Sequence, residues 1–362
     1  MSKTDSVRNL MYCAGQTLKF LFVGLRPSRL AAAATSTTLL ATGAIAQVII
    51  VNEVDSQQKI DADVDVTITP TGNVQVANEE GGGVVVSADY SSTFTNNGTI
   101  SAETESVPLG SISFRSLKAT ALTFGGDILA DGQVIINGTI NASATSDIGV
   151  SQATGIDFDG AFEGALTIDG EINVEATSDN TIFLVPTSNA EGVSFDDLVA
   201  GDITNTGAIK VVALSEQDSA LAKGVSINEG SQSTSTIRND GLISSTASTE
   251  VAQATAFGIV FGKNLGGLSS ITNSDGNLIN NGTVSATANS VRGDAIASVY
   301  SVPGDLSGDI ANGGTLTGAA TASEVAEARG VSVSGDMSGD LSNAGLVSAR
   351  ATGGVEAKAV GV

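Results

Sequence analysis

The feature that most constrains this chain is a glycine that returns every 31 to 41 residues, in segments such as NNGTIS, INGTIN, NTGAIK, NDGLIS, NNGTVS and NGGTLT. The anchors are Gly98, Gly138, Gly170, Gly207, Gly241, Gly282, Gly314 and Gly345. Four residues before them stand Phe94, Val134, Leu166, Ile203, Ile237, Leu278, Ile310 and Leu341; two residues after them stand Ile100, Ile140, Ile172, Ile209, Ile243, Val284, Leu316 and Val347. All sixteen flanking positions are large and apolar. Self-similarity at such a period means that one supersecondary unit is built repeatedly.

Two further signals subdivide the unit. Downstream of the anchors, ATGIDF, EGVSF, KGVSI, FGIVF and RGVSV place Ile156, Val193, Val225, Ile259 and Val331 in a second recurring position. Upstream, Phe162-x-Gly164-x-Leu166, Leu306-x-Gly308-x-Ile310 and Met337-x-Gly339-x-Leu341 mark a third. Alternation of period two, interrupted by Gly and Asn, describes short strands joined at sharp corners. The expected fold is all-β, a parallel β-helix of about eight coils.

Asparagine precedes the glycine by two at Asn96, Asn205, Asn239, Asn280, Asn312 and Asn343. These six are expected to form an inward ladder of amide hydrogen bonds, with the glycines chosen because they reach φ > 0 at the corners. The variable stretches SNAEGVSFDDLVAG, SEQDSALAKG and ATASEVAEARG are expected to leave the coil as loops, the last with one helical turn. No single coil buries enough to fold alone, so consecutive units must stabilise one another.

Composition then removes whole classes of function. There is no histidine and one cysteine among 362 residues, which excludes a Ser-His-Asp or Cys-His arrangement, a His-ligated metal and an internal disulfide. A net charge of -23 opposes binding to nucleic acid. Intrinsic disorder is opposed by 41% hydrophobic against 15% charged residues.

At the amino terminus, Lys19, Arg26 and Arg29 precede LAAAATSTTLLATGAIA, and Ala44-Ile45-Ala46 has the small-x-small pattern of a cleavage site. Residues 1–46 are therefore expected to be a signal peptide with an extended front, 47–93 a cap with the first strands, and 94–362 the repeat domain. Cleavage would remove the only cysteine, Cys13, with five basic residues and one acidic one, leaving a still more acidic remainder.

The leader followed by units of the type G-x-L-x-G-x-I-x-N-x-G-x-I-x-A resembles the passenger region of bacterial autotransporters and related β-helical surface proteins, over Phe94 to Val362. The resemblance implies export through the inner membrane, passage of the outer membrane by a β-barrel translocator, and display at the cell surface of a Gram-negative bacterium. No amphipathic, aromatic-rich barrel strands occur in this sequence, which halts at AKAVGV within a unit, so a fragment of a longer protein is expected, the alternative being another route to the surface.

The expected function is non-enzymatic, adhesive or structural, with a cell-surface or matrix ligand, no nucleic acid and no cofactor. The alternative is a polysaccharide-degrading β-helical enzyme. For it, Asp157 and Asp159 in GIDFDG, with Asp196 and Asp197 in SFDD one unit later, are the carboxylates that could share acid and base work on a glycoside. The Asp-rich SGDMSGDL (Asp336, Asp340) is a calcium candidate. Asn97, Asn137, Asn281 and Asn141 match the glycosylation triplet, which the Asn-Gly corner explains by itself. The stretch EGGGVVV lacks the Lys-Ser/Thr of a phosphate loop. No catalytic, cofactor or metal residue is assigned.

Overall fold

The computed structural model describes residues 18–22, 46–50, 53–54, 56–77, 82–106, 116–147, 149–179, 187–227, 234–261 and 276–362. Most of the expected leader lies outside them. Within it, Leu18–Phe22 is a strand paired in parallel with Ala46–Ile50, the strand in which the expected cleavage point falls.

The described residues contain no helix. They form three all-parallel sheets of 11, 10 and 10 strands, and the chain visits the sheets in rotation. Each turn of this β-solenoid has a strand of three or four residues in the first sheet, a strand of seven or eight in the second, and one of eight or so in the third, as in Ala165–Ile168, Glu171–Ser178 and Ser188–Phe195. Eight such triplets run from Thr93–Asn96 to Glu356–Val360, one for each anchor glycine. Shorter strands between Ala46 and Val86 extend the same three sheets upstream.

The repeat positions become ladders. Phe94, Val134, Leu166, Ile203, Ile237, Leu278, Ile310 and Leu341 pair one with the next along the first sheet. The eight residues from Ile100 to Val347 do the same along the second. In the third, Ile156, Val193, Val225, Ile259 and Val331 share one column with Leu122 and Tyr300, which complete it. The third upstream signal is a single-residue bridge, Ile128 to Phe162 to Val199, and Leu306 to Met337.

The glycines are required for a reason other than the expected one. None of the anchors has positive φ; Gly149 is the one described glycine that does. At seven of the eight anchors a Cβ would overlap the backbone carbonyl of the preceding anchor glycine, as Gly207 would that of Gly170, and at Gly98 that of Gly72. Turns stacked at about 4.8 Å leave no room for a side chain at this corner. Close approach, not handedness, selects glycine.

The asparagine ladder is real but shorter than expected. Asn205 donates to Asn239 at 2.7 Å, Asn239 to Asn280 at 2.8 Å, Asn280 to Asn312 at 2.7 Å, and Asn312 to Asn343 at 2.7 Å. Asn96 stands apart, because Ile136 and Ile168 occupy the two intervening rungs. It turns instead to Gly98 N and Thr139 O. At the start of the run the buried Oδ1 of Asn205 faces Ile168's rung and has no donor.

Upstream of the amides, aromatic rings fill the same interior. Phe124, Phe158 and Phe195 stack at 5.1 and 4.8 Å with planes within 7° of parallel, and Tyr90, Phe94 and Phe162 close on them at steeper angles.

The segments expected as loops are largely third-sheet strands: Ser188–Phe195, Ala220–Ile227 and Val325–Val333. ATASEVAEARG has no helical turn. Its Ala320, Ala322, Ala326 and Ala328 alternate inward and are buried, so ladder bonding to both neighbouring turns overrides the local helix preference of Ala and Glu.

Candidate functional site

The third sheet departs from simple alternation, and this builds its chemistry. Its strands carry glycine at the fifth residue (Gly155, Gly192, Gly224, Gly258), and the pairing skips that residue. A Cβ at Gly155 would strike Ile172 and Val174 of the second sheet. Residues six and eight, such as Ile156 and Phe158, then both reach the core. The fourth and seventh residues of these strands are polar in several turns yet buried, as Glu191, Lys223, Asp157, Ser194 and Ser226 are.

The structure gathers three of the four candidate carboxylates. Asp157, Asp159 and Asp196 each place an oxygen within 4.8 Å of the others. Asp159 and Asp196 occupy equivalent places one turn apart, their backbone N–H groups donating to Phe124 O and Phe158 O. Asp157 is only 6% exposed, while its neighbours are open to solvent. Asp197 is not in the group; it is exposed and accepts from the N–H of Leu198. Lys118, which no sequence signal marks, joins the group from the turn before, its ammonium 3.4 Å from Asp157.

Burial raises Asp157 to about 6, with the Asp159 and Asp196 charges adding to the rise and Lys118 opposing it. Burial also raises Asp159, with Asp196 adding to it. A carboxylic acid poised near 6 beside ionised carboxylates can give up a proton close to neutrality, and three such oxygens are donors of the kind a hard divalent cation accepts.

A second cluster lies on the next two strands. Lys223 and Glu191 are direct partners in the register and pair at 3.0 Å, their side chains only 5% and 11% exposed. Glu191 also accepts from Asn189 Nδ2 at 3.2 Å, and Lys223 reaches Ser226 at 3.4 Å. Burial pushes the Glu191 carboxyl up, but the Lys223 charge and the hydrogen bonds outweigh it, leaving it below its usual range. On the far side Lys223 is paired with the buried Phe257. Asn189 Oδ1 is buried with no partner.

The remaining sequence candidates serve the stack. Asp305 and Asp309 accept the backbone N–H groups of Asp336 and Asp340, one turn on, at 2.8 Å each. Asn137 donates to Asn97, Asn281 to Asp240, and Asn173 to Asn141. Val84–Val86, at the end of EGGGVVV, is a strand. Every aromatic side chain whose burial is described lies inside the coil or beneath the surface, so none of these offers a ring for stacking on sugar.

Fold and side chains together define a parallel β-solenoid with a partly buried ionic face on its third sheet. Compared with the profiles of known families, with curated sequences and with solved structures, the chain finds no match.

Proposed function

We propose that this is an exported, passenger-like surface protein whose solenoid is itself the functional product: a rigid acidic rod with an adhesive or structural role, delivered to the outer membrane through a translocator. The observation that supports the reading is the pair of unbroken apolar ladders, Phe94 to Leu341 and Ile100 to Val347, stacked with the anchor glycines through all eight turns. A rod of this kind gains length and stiffness from each repeat. The ligand is a cell-surface or matrix component.

The test is to fuse the chain to an outer-membrane barrel and compare cell adherence to matrix-coated surfaces with that of the barrel alone. Protease-accessible chain, an amino terminus at Gln47 in the exported protein, and increased adherence support the proposal. Retention in the cytoplasm overturns it.

A second reading, a glycan-cleaving enzyme, is favoured by the meeting of Asp157, Asp159 and Asp196. It requires release of new reducing ends from neutral or acidic polysaccharide by the purified chain, abolished in Asp157→Asn.

A further inference from the structure

We propose that Lys223 and Asn189 join in an intramolecular isopeptide bond, with Glu191 as the group that moves the proton, so that two consecutive turns of the solenoid are covalently stapled. Three observations converge on this pair. The amine and the carboxamide nitrogen both contact the same oxygen, Glu191 Oε1, at 3.0 and 3.2 Å. The amine is enclosed, with Lys223 4% exposed and Phe257 on the adjacent strand against it in the register. The carboxamide oxygen of Asn189 is buried with no donor, an arrangement that is unfavourable unless a partner is supplied.

The chemistry needs no co-reactant. The Lys223–Glu191 ion pair is the resting form; along this 3.0 Å contact the ammonium passes one proton to Glu191, and exclusion of water lowers the cost of this less populated neutral pair, which is the reactive form. The freed Nζ lone pair attacks Cγ of Asn189, which lies on the neighbouring strand, two residues along from Lys223's partner Glu191. The Nζ–Cγ bond forms, a second Nζ proton is transferred to Nδ2, the Cγ–Nδ2 bond breaks, and ammonia leaves. Nothing is oxidised or reduced. Glu191 retains the first proton, and a half-turn of the carboxamide brings Oδ1 against it, so the neutral acid donates to the oxygen that lacks a partner beforehand. The product has no buried charge and no unpaired acceptor among these three residues.

The other lysines whose side chains are described do not share this setting. Lys59, Lys210 and Lys358 are ion-paired with side chains 53%, 48% and 56% exposed, where the ammonium is hydrated and unreactive. Lys118, at 55%, is equally open.

The experiment is peptide mapping of the full chain by mass spectrometry after denaturation and trypsin. Lysine in amide linkage is not cut, so the bond predicts that residues 211–238 remain in one piece and are joined to 119–210, about 17 Da below the sum of the two because ammonia is lost. Lys223→Arg, which keeps the ion pair but not the nucleophile, and Glu191→Ala should both give unlinked peptides. The wild-type map decides the matter even if either variant fails to fold. Ordinary cleavage after Lys223 with no branched peptide overturns the proposal, leaving a plain buried ion pair.

Discussion

Replacing Asn280 by leucine and, separately, Asn205 by leucine distinguishes a cooperative amide ladder from a row of independent polar side chains. Asn280 is in the middle of the run. Its loss removes the bonds to Asn239 and Asn312 and the donation to Thr315 O, and leaves Asn312 Oδ1 in a site only 3% exposed with no donor. A newly unpaired buried acceptor costs about 1–3 kcal/mol, and each lost internal bond about 1 kcal/mol. Three lost bonds and one new orphan give an expected destabilisation of about 4–6 kcal/mol. Asn205 is at the head of the run, and its Oδ1 is already unpaired. Leucine there removes one orphan and creates another at Asn239, so the number of unpaired acceptors is unchanged and only the two lost donations, to Asn239 and to Leu242 O, count, about 2 kcal/mol. Urea unfolding of the full chain, followed by far-ultraviolet circular dichroism, compares the two midpoints. Equal losses at both positions would refute the ladder argument, because position in the run would then be irrelevant.

Three further outcomes follow from the same structure. Asp157→Asn should stabilise the protein at pH 7.5 and have little effect below about pH 4: a folded-state value raised from 3.8 to about 6 means a contribution present at low pH and lost as pH rises through 6, worth up to about 3 kcal/mol. Urea midpoints at both pH values check the sign. Gly207→Ala drives a Cβ into Gly170 and Asp169 backbone and should cost about 3 kcal/mol, seen as a large drop in the thermal midpoint; a neutral result would show that the corner can relax. A Cβ at Gly318 would lie 2.9 Å from Arg329 O on the third-sheet strand of the same turn, so Gly318→Ala should cost about 1–3 kcal/mol, read as a lower urea midpoint; an unchanged midpoint would show that the Arg329 backbone gives way.

The ladders were legible because each anchor combines a steric requirement with an apolar residue at fixed offsets, and stacking in register forces those offsets to recur. Leu122 and Tyr300 escaped notice because a column tolerates any large apolar side chain, and Tyr300 does not resemble the Val or Ile around it. The alanine-rich strand Val325–Val333 was misread because its small inward residues carry little β preference; only bonding to turns on either side makes it a strand. The candidate site was half legible. Asp159 and Asp196 recur at one repeat position and could be matched, whereas Lys118 is the second residue of its strand and Asp157 the seventh of the next, so no shared repeat position links them. Glu191 and Lys223 were not paired from the sequence, where EGVSF and KGVSI served only to align Val193 with Val225; the opposite charges one residue before the glycine in each segment were the signal that could have found them.

The change of filling inside the coil, from rings between Tyr90 and Phe195 to amides from Asn205 onward, bears on how the chain folds. In a stack whose stability is a sum over neighbouring turns, assembly starts where adjacent turns gain most from each other. Stacked rings supply that gain by area and dispersion alone, without the exact donor and acceptor placement an amide needs. The aromatic section is thus suited to act as the nucleus, and the amide section to grow from it. Because Asn205, Asn239, Asn280 and Asn312 each donate towards the following turn, each of these turns presents a bond that only a correctly registered successor can accept. Growth along this part of the rod is templated and one-directional.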